Sequence, residues 1–279
     1  MTTKVNLSKD KPDKSKEILL KEVESVGIGE ASAQEYARFQ PWEDNSVSML
    51  MATRGMVDIR VWRSHDRILY PMNQKRVKFD VVGEEVAEAY NNLFKTATTH
   101  PTSRDWPWLL TTEEDNTPEP EALFKLLKAI RHCPDCKVPI GNDKFCPDGH
   151  RAYDGLSGLY WTKCDPPAPM AFGNIDDPKD FSTQNVWPYM QAEDPLDQVI
   201  EVNSIPMGFT LYRSDIVKEL SEPWFKTADP ELTYGGENRG SVGQDIWFCI
   251  KAKAELGSRF GVHCGAKVGH LDPKSGRVY

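Results

Sequence analysis

The strongest constraint on this chain is an alternation: short apolar runs read as buried strands, and most lead directly into a stretch with helical spacing. "SVSMLMA" (46–52) is the first run, and a helix-like stretch from Met56 to about His65 follows "TRG". "RVKFDVV" (76–82) alternates Val77, Phe79 and Val81 with polar neighbours. Gly83 breaks it, and Val86, Tyr90, Leu93 and Ala97 then recur at helical spacing. "WPWLLTT" (106–112) is the third run. After it, Thr117 and Pro118 have the character of a helix N-cap and first helical residue, with Glu119 and Glu121 in the first turn. "LSGLYWTK" (156–163) and "SIPMGFTLYR" (204–213) are two more strands, and the second leads into a helix over 214–220. A last helix over 244–256 places Ile246, Cys249 and Ile250 on one side. Repeated strand-then-helix order predicts an α/β fold: a mainly parallel sheet with helices on both faces.

The ends and connections are less regular. Residues 1–16 are mostly polar and read as a flexible arm, and 17–39 hold room for one or two short helices. Together 1–45 form an N-terminal arm and helical extension, ahead of a catalytic-sized domain over 46–279. Residues 164–200 are rich in Pro and Asp and read as long loops. No apolar run approaches the ~18–20 residues of a membrane span, and the N-terminus lacks the apolar core of a secretory signal, so a cytoplasmic location is expected. The net charge of −8 argues against a nucleic-acid coat or an electrostatic membrane binder.

The third run ends in three consecutive acids, Glu113, Glu114 and Asp115. In an open parallel sheet, ligands bind beyond the carboxyl ends of the strands. Crowded acids there repel one another and lose solvation. A divalent cation removes both penalties, because Mg²⁺ and Mn²⁺ prefer carboxylate oxygens and keep positions open for phosphate. The plainer alternative is a helix start decorated with acids that complement its dipole.

Seven segments in order, "SMLMATRG", "GEEVAEAYNNLF", "LLTTEEDNTPEP", "GLSGLYWTK", "PMGFTLYRSDIV" with "PWF", "GQDIWFCIKA" and "VGHLD", resemble the GT-A-type glycosyltransferases. The likeness is to the short, family-2-like enzymes of phages and microbes and covers roughly 46–272. It implies a GT-A-like sheet and transfer of a hexosyl or related unit from a nucleotide-sugar donor to a hydroxyl acceptor, with Mn²⁺ or Mg²⁺. "ATRG" resembles the nucleotide-holding loop after the first strand, which makes Thr53 and Arg54 candidates for donor binding. "EEDN" resembles the Asp-x-Asp metal motif, with Glu113 and Asp115 at the key positions and with Glu113 and Glu114 both candidates for donor binding as well. Glu in the first position departs from the family pattern, so Asp115 is the safer ligand. "GQDI" resembles the acidic motif at a helix start and puts Asp245 beside the acceptor. It would act as base if configuration inverts and would position the acceptor if configuration is retained. "GHLD" resembles the late metal-site His, hence His270. The plain readings are a surface arginine in a turn, a helix-start acid and a structural histidine.

"HCPDCKVPIGNDKFCPDGH" carries a second signal, read from the residues themselves. Cys133-x2-Cys136 and Cys146-x3-His150 stand nine residues apart, a pairing that suits tetrahedral Zn²⁺. His132 is an alternative ligand. Each pair has the look of a knuckle turn, with Gly149 relieving strain in the second. The insertion, about 132–151, either staples a loop or touches the acceptor; unpaired thiols are the plainer alternative. Two other functions compete: a nucleotidyltransferase, which would be expected to carry a glycine-rich basic loop where "ATRGMVD" stands, and a non-catalytic zinc-stapled binding module. The acceptor is open among glycan, lipid, protein and a hydroxylated nucleic-acid base.

Overall fold

The computed structural model describes residues 44–72, 74–227 and 243–279. The arm and helical extension expected over 1–45 lie, up to residue 43, outside the described residues. Residues Glu43–Tyr279 cluster as one compact unit. Its strands are β1 (Val47–Thr53), β2 (Arg76–Val82), β3 (Trp108–Glu113), β4 (Asn116–Pro118), β5 (Gly155–Leu159), β6 (Val199–Val202), β7 (Phe209–Arg213) and β8 (Phe260–His270). They form one sheet in the order β2-β1-β3-β7-β5-β8-β4, with β6 also paired to β8. β1 is parallel to β2 and β3, β5 is parallel to β8, and the pairings β3–β7, β5–β7, β6–β8 and β4–β8 are antiparallel. Five strands (β1, β2, β3, β5 and β8) therefore run one way and three run the other. The fold is a mixed α/β sheet, mostly parallel in strand direction, as the alternation predicts.

The helices among the described residues are α1 (Ile59–Asp66), α2 (Val86–Thr99), α3 (Ala122–Ile130), α4 (Trp187–Met190), α5 (Ser214–Glu219) and α6 (Gln244–Leu256). The central strands β1, β3, β5 and β7 are buried on both faces, which is why they read as apolar runs. Leu50, Leu109 and Tyr212 turn toward one cluster that holds Tyr90, Leu93 and Phe94 of α2, Ile216 of α5 and Phe248 of α6. Their strand neighbours Met49, Leu110 and Leu211 are buried as well, on the opposite face. α3 packs against β5, β7 and β8.

Four expectations change. Thr117 and Pro118 are not a helix start. They belong to β4, which pairs with the far end of β8 as Asn116↔His270, Thr117↔Gly269 and Pro118↔Val268. Pro118 ends a three-residue edge strand, where its missing N–H is tolerated, and its carbonyl accepts from Ser64 Oγ at 2.6 Å. α3 begins only at Ala122, after Glu121. The strand expected over 204–213 shortens to β7, because 204–208 is irregular around Pro206 and Gly208. On α6 the buried residues are Trp247, Phe248, Cys249 and Ala252, while Ile246 and Ile250 are half-buried, so the stripe is rotated from the one expected. The loops over 164–200 contain α4 and the start of β6.

Candidate functional site

The turn between β3 and β4 carries Glu113, Glu114 and Asp115 at the carboxyl edge of the parallel strands. With α3 starting at Ala122, these acids do not decorate a helix N-terminus. Each has a different environment. Glu114 accepts from Thr53 Oγ1 at 2.7 Å, from the Arg54 backbone N–H at 2.8 Å and from Arg54 Nε. Partial burial pushes its pKa up, but these hydrogen bonds outweigh that and hold it below its ordinary value. The loop after β1 is thereby braced against the end of β3, and three of the four donor-side candidates, Thr53, Arg54 and Glu114, come together.

Glu113 is the opposite case. Burial, and then the nearby charges of Asp115 and Asp245, push its pKa up to about 8, while Lys163 pulls the other way. Asp245, in the first turn of α6, is itself raised by burial. Glu113 of β3 thus lies within electrostatic reach of Asp115 in the turn after it and of Asp245 in α6. Buried tyrosines back this group: the phenols of Tyr90, Tyr160 and Tyr212 all feel Glu113 and Asp245. Gly208 permits the approach, since a Cβ there would collide with the Asn116 amide and the Tyr160 hydroxyl. Its N–H donates to Tyr160 Oη at 2.7 Å.

The β4–β8 register puts His270 opposite Asn116, one residue from Asp115. His270 Nδ1 lies 2.8 Å from the Trp161 carbonyl, which can only accept, so Nδ1 carries the proton. Nε2 is then left with its lone pair and stands 3.8 Å from Asp115 Oδ2. Burial holds the His270 pKa below its ordinary value, and the Lys163 charge adds to that; the Trp161 bond and Asp115 oppose it. A neutral imidazole with a fixed tautomer thus faces a carboxylate oxygen too distant to bond it. The Lys163 ammonium also bonds Asp115 Oδ2.

The second cluster is built differently. α3 ends at Ile130 and the chain makes two knuckles before β5. Cys133 N–H donates to the Val138 carbonyl at 2.9 Å and Lys137 N–H to the Cys133 carbonyl at 3.0 Å, with Lys137 at φ 59°. Cys146 N–H donates to the His150 carbonyl at 3.0 Å, with Gly149 at φ 83°. The knuckles bring Cys133, Cys136, Cys146 and His150 together, their ligand atoms all within 4.8 Å of one another. The Cys136–Cys146 Sγ separation is 3.7 Å; His150 Nδ1 lies 3.4 Å from Cys146 Sγ and 3.8 Å from Cys133 Sγ. A zinc tetrahedron has edges of about 3.8 Å between sulfurs and about 3.6 Å from sulfur to nitrogen. The cluster fits a metal ion such as zinc. His132 is not part of it: its Nδ1 is bonded to the Lys128 carbonyl at 2.6 Å, within the last turn of α3.

This cluster stands at the other edge of the sheet. Arg213, buried at the end of β7 opposite Trp108, donates to the carbonyls of Tyr153, Asn142 and Ile130 at 3.0, 2.8 and 2.9 Å. Arg259 bonds Asp135 beside the first knuckle and Glu201 of β6. β3 runs from that edge to Glu113, about 17 Å at ~3.3 Å per residue. The insertion therefore packs on the amino edge and does not reach the acids. A hollow of about 280 Å³ is lined by Trp62, His65, Tyr70, Arg76 and Lys78, and His65 Nε2 lies 3.1 Å from the Asn116 carbonyl.

Lys163, Trp161 and Tyr160 were not singled out from the sequence, although they lie inside the quoted "GLSGLYWTK". Their roles depend on which backbone and side-chain groups they meet, and spacing does not encode that. No protein-family model matches the chain, and no curated protein matches it. Among solved structures 51 chains match. One is described as the crystal structure of A197 from STIV, 15% identical over 84% of this chain and 92% of that one, with a TM-score of 0.49. A likeness that shallow transfers neither a fold family nor an activity.

Proposed function

We propose that the chain is a metal-dependent glycosyltransferase of GT-A-like architecture, moving a sugar from a nucleotide-sugar donor to a hydroxyl acceptor. The observation that carries this reading is the pairing of His270 Nε2 with Asp115 Oδ2 at 3.8 Å, beside a Glu113 whose charge is suppressed. Such an edge gains most by taking up a divalent cation. Asp115, His270 and Glu113 would hold Mn²⁺ or Mg²⁺, and the bound ion would neutralise charge developing on the departing diphosphate. Thr53, Arg54 and Glu114, already braced together, shape the loop where the nucleotide would lie. The acceptor oxygen attacks the anomeric carbon, the bond to the diphosphate oxygen breaks, and the acceptor proton passes to Asp245. Its raised pKa brings it nearer to neutral pH, where a general base is most effective. Where configuration is retained, Asp245 instead positions the acceptor. The Cys133–Cys136–Cys146–His150 set holds Zn²⁺ in a closed, structural role.

A reducing, cytoplasmic setting suits the free thiols, and no helix among the described residues is long and apolar enough to cross a membrane. The acceptor is a glycan or another hydroxyl bearer, with a modified nucleic-acid base retained as a candidate. The test is incubation with Mn²⁺ and a panel of nucleotide sugars, reading free nucleoside diphosphate. Release from at least one donor, absent in Asp115→Ala, is expected; release unchanged in Asp115→Ala would defeat the assignment.

A further inference from the structure

Lys163 lies four residues beyond β5 in a small turn. A Trp161–Pro169 bridge closes the turn, together with the bond from Thr162 N–H to the Ala168 carbonyl at 2.8 Å. Its ammonium bonds Asp115 Oδ2, the same oxygen that faces His270 Nε2. Its charge is felt well beyond that bond, by Glu113, His270 and Asp272. The lysine therefore stands on the carboxylate oxygen that a divalent ion between Asp115 and His270 would need. One oxygen cannot serve both cations at full strength, and a divalent ion a few ångströms from an ammonium is repelled by it.

We infer that Lys163 is a built-in counter-cation that holds Asp115 and moves onto the diphosphate oxygens when a nucleotide arrives, so that metal ion and diphosphate bind cooperatively. This rests on the reading of the carboxyl edge as a nucleotide-sugar site. A diphosphate supplies enough negative charge for both cations, and it removes the competition by giving the ammonium a second partner. Lysine suits the task because its flexible four-carbon stem carries a compact charge. The backbone of its turn is held by the Trp161–Pro169 bridge, so the side chain can shift while the turn stays in place. Until then Lys163 keeps part of the acid cluster neutralised, and Asp115 does not stand as a bare charge next to Glu113.

The test uses Lys163→Met and Lys163→Arg in the full chain. Mn²⁺ binding without nucleotide is followed from the electron paramagnetic resonance signal of the free ion. Binding of the four common ribonucleoside diphosphates is then measured by equilibrium dialysis at saturating Mn²⁺. Lys163→Met should bind Mn²⁺ about tenfold more tightly and the preferred diphosphate about tenfold more weakly, as expected for one charge-assisted hydrogen bond gained or lost. Lys163→Arg should return both constants toward wild type. Mn²⁺ affinity in Lys163→Met equal to or below wild type overturns the inference, and if the diphosphate still binds, it does so without touching the glycosyltransferase reading. Tighter Mn²⁺ binding with no diphosphate bound by either protein removes both the diphosphate half of the inference and the nucleotide-sugar reading.

Discussion

The two edges of the sheet solve the problem of buried polar groups in opposite ways. At the amino edge the arginines are held by carbonyls and carboxylates, although the Trp108 indole N–H and the Ser258 hydroxyl are buried without a hydrogen-bond partner among the described residues. Arg213 spends its guanidinium on three carbonyls, Arg259 bridges Asp135 and Glu201, and Arg151 is held by Asp154 at 2.8 Å. Four metal-type ligand atoms there already lie within 4.8 Å of one another. At the carboxyl edge the charges conflict: Glu113 is pushed up to about 8, Asp245 is raised, and the Asn116 amide is buried without a partner. The first edge is arranged for stability. The second concentrates carboxyl groups whose charged form burial disfavours.

Substitutions should therefore separate by edge. The largest effect is expected at the amino edge, where Cys136→Ser opens the closed ligand set. Loss of zinc should lower Tm on the order of 10 °C or more, because binding energy of such a site is folding energy. Calorimetry with elemental analysis checks it, and an unchanged Tm with zinc lost would remove the structural role. At the carboxyl edge, Asp115→Ala should lower transfer by about 10³-fold or more while Tm stays level. An equal fall in stability would mean the acid is structural. Asp245→Asn should slow transfer by about 10²–10⁴-fold with donor affinity, read by calorimetry, unchanged. Lost donor affinity would move Asp245 from base to donor positioning. His270→Ala should weaken Mn²⁺ binding by roughly 10–100-fold, the usual cost of disturbing a ligand and its supporting bond.

The smallest effect concerns pH. The folded pKa of Glu113, about 8, lies above its ordinary 4.5. Between those values the folded protein keeps a proton that the unfolded chain has released, so this residue's contribution to stability falls as pH rises through that window and levels off above it. Glu113→Gln should therefore raise the Tm of the cation-free protein by a few degrees at about pH 8.5 and hardly at all at about pH 4.5. Added Mn²⁺ should narrow the gap, because it stabilises the charged form. A gap independent of pH would contradict the burial of Glu113 among acids.

What was legible in the sequence follows the same division. The knuckle ligands follow from local spacing, and Cys133, Cys136, Cys146 and His150 meet as the pattern implies; only the alternative, His132, is diverted, to the Lys128 carbonyl. β1 and β3 were readable because burial on both faces leaves apolar runs, and β2, an edge strand, because its residues alternate. β8 was not, since Gly261, Gly265, Gly269 and Lys267 interrupt its apolar pattern. Missing β8 hid β4 as well, and Thr117–Pro118 then resembled a helix start. The approach of His270 to Asp115 depends on that β4–β8 pairing, which periodicity does not encode. Lys163 was invisible for a related reason: one lysine after a strand is ordinary until the fold brings Asp115 to it.

The closed, sulfur-rich cluster fits a metal ion such as zinc, and the oxygen-rich site for a second cation is our proposal. The most direct measurement is metal content and Mn²⁺ binding on wild type, Asp115→Ala and Cys136→Ser, after dialysis against mild EDTA. The account predicts one zinc per chain retained in wild type and Asp115→Ala, with Mn²⁺ binding present in wild type and lost in Asp115→Ala alone. Mn²⁺ binding that survives Asp115→Ala but disappears with Cys136→Ser in a protein that stays folded would contradict it.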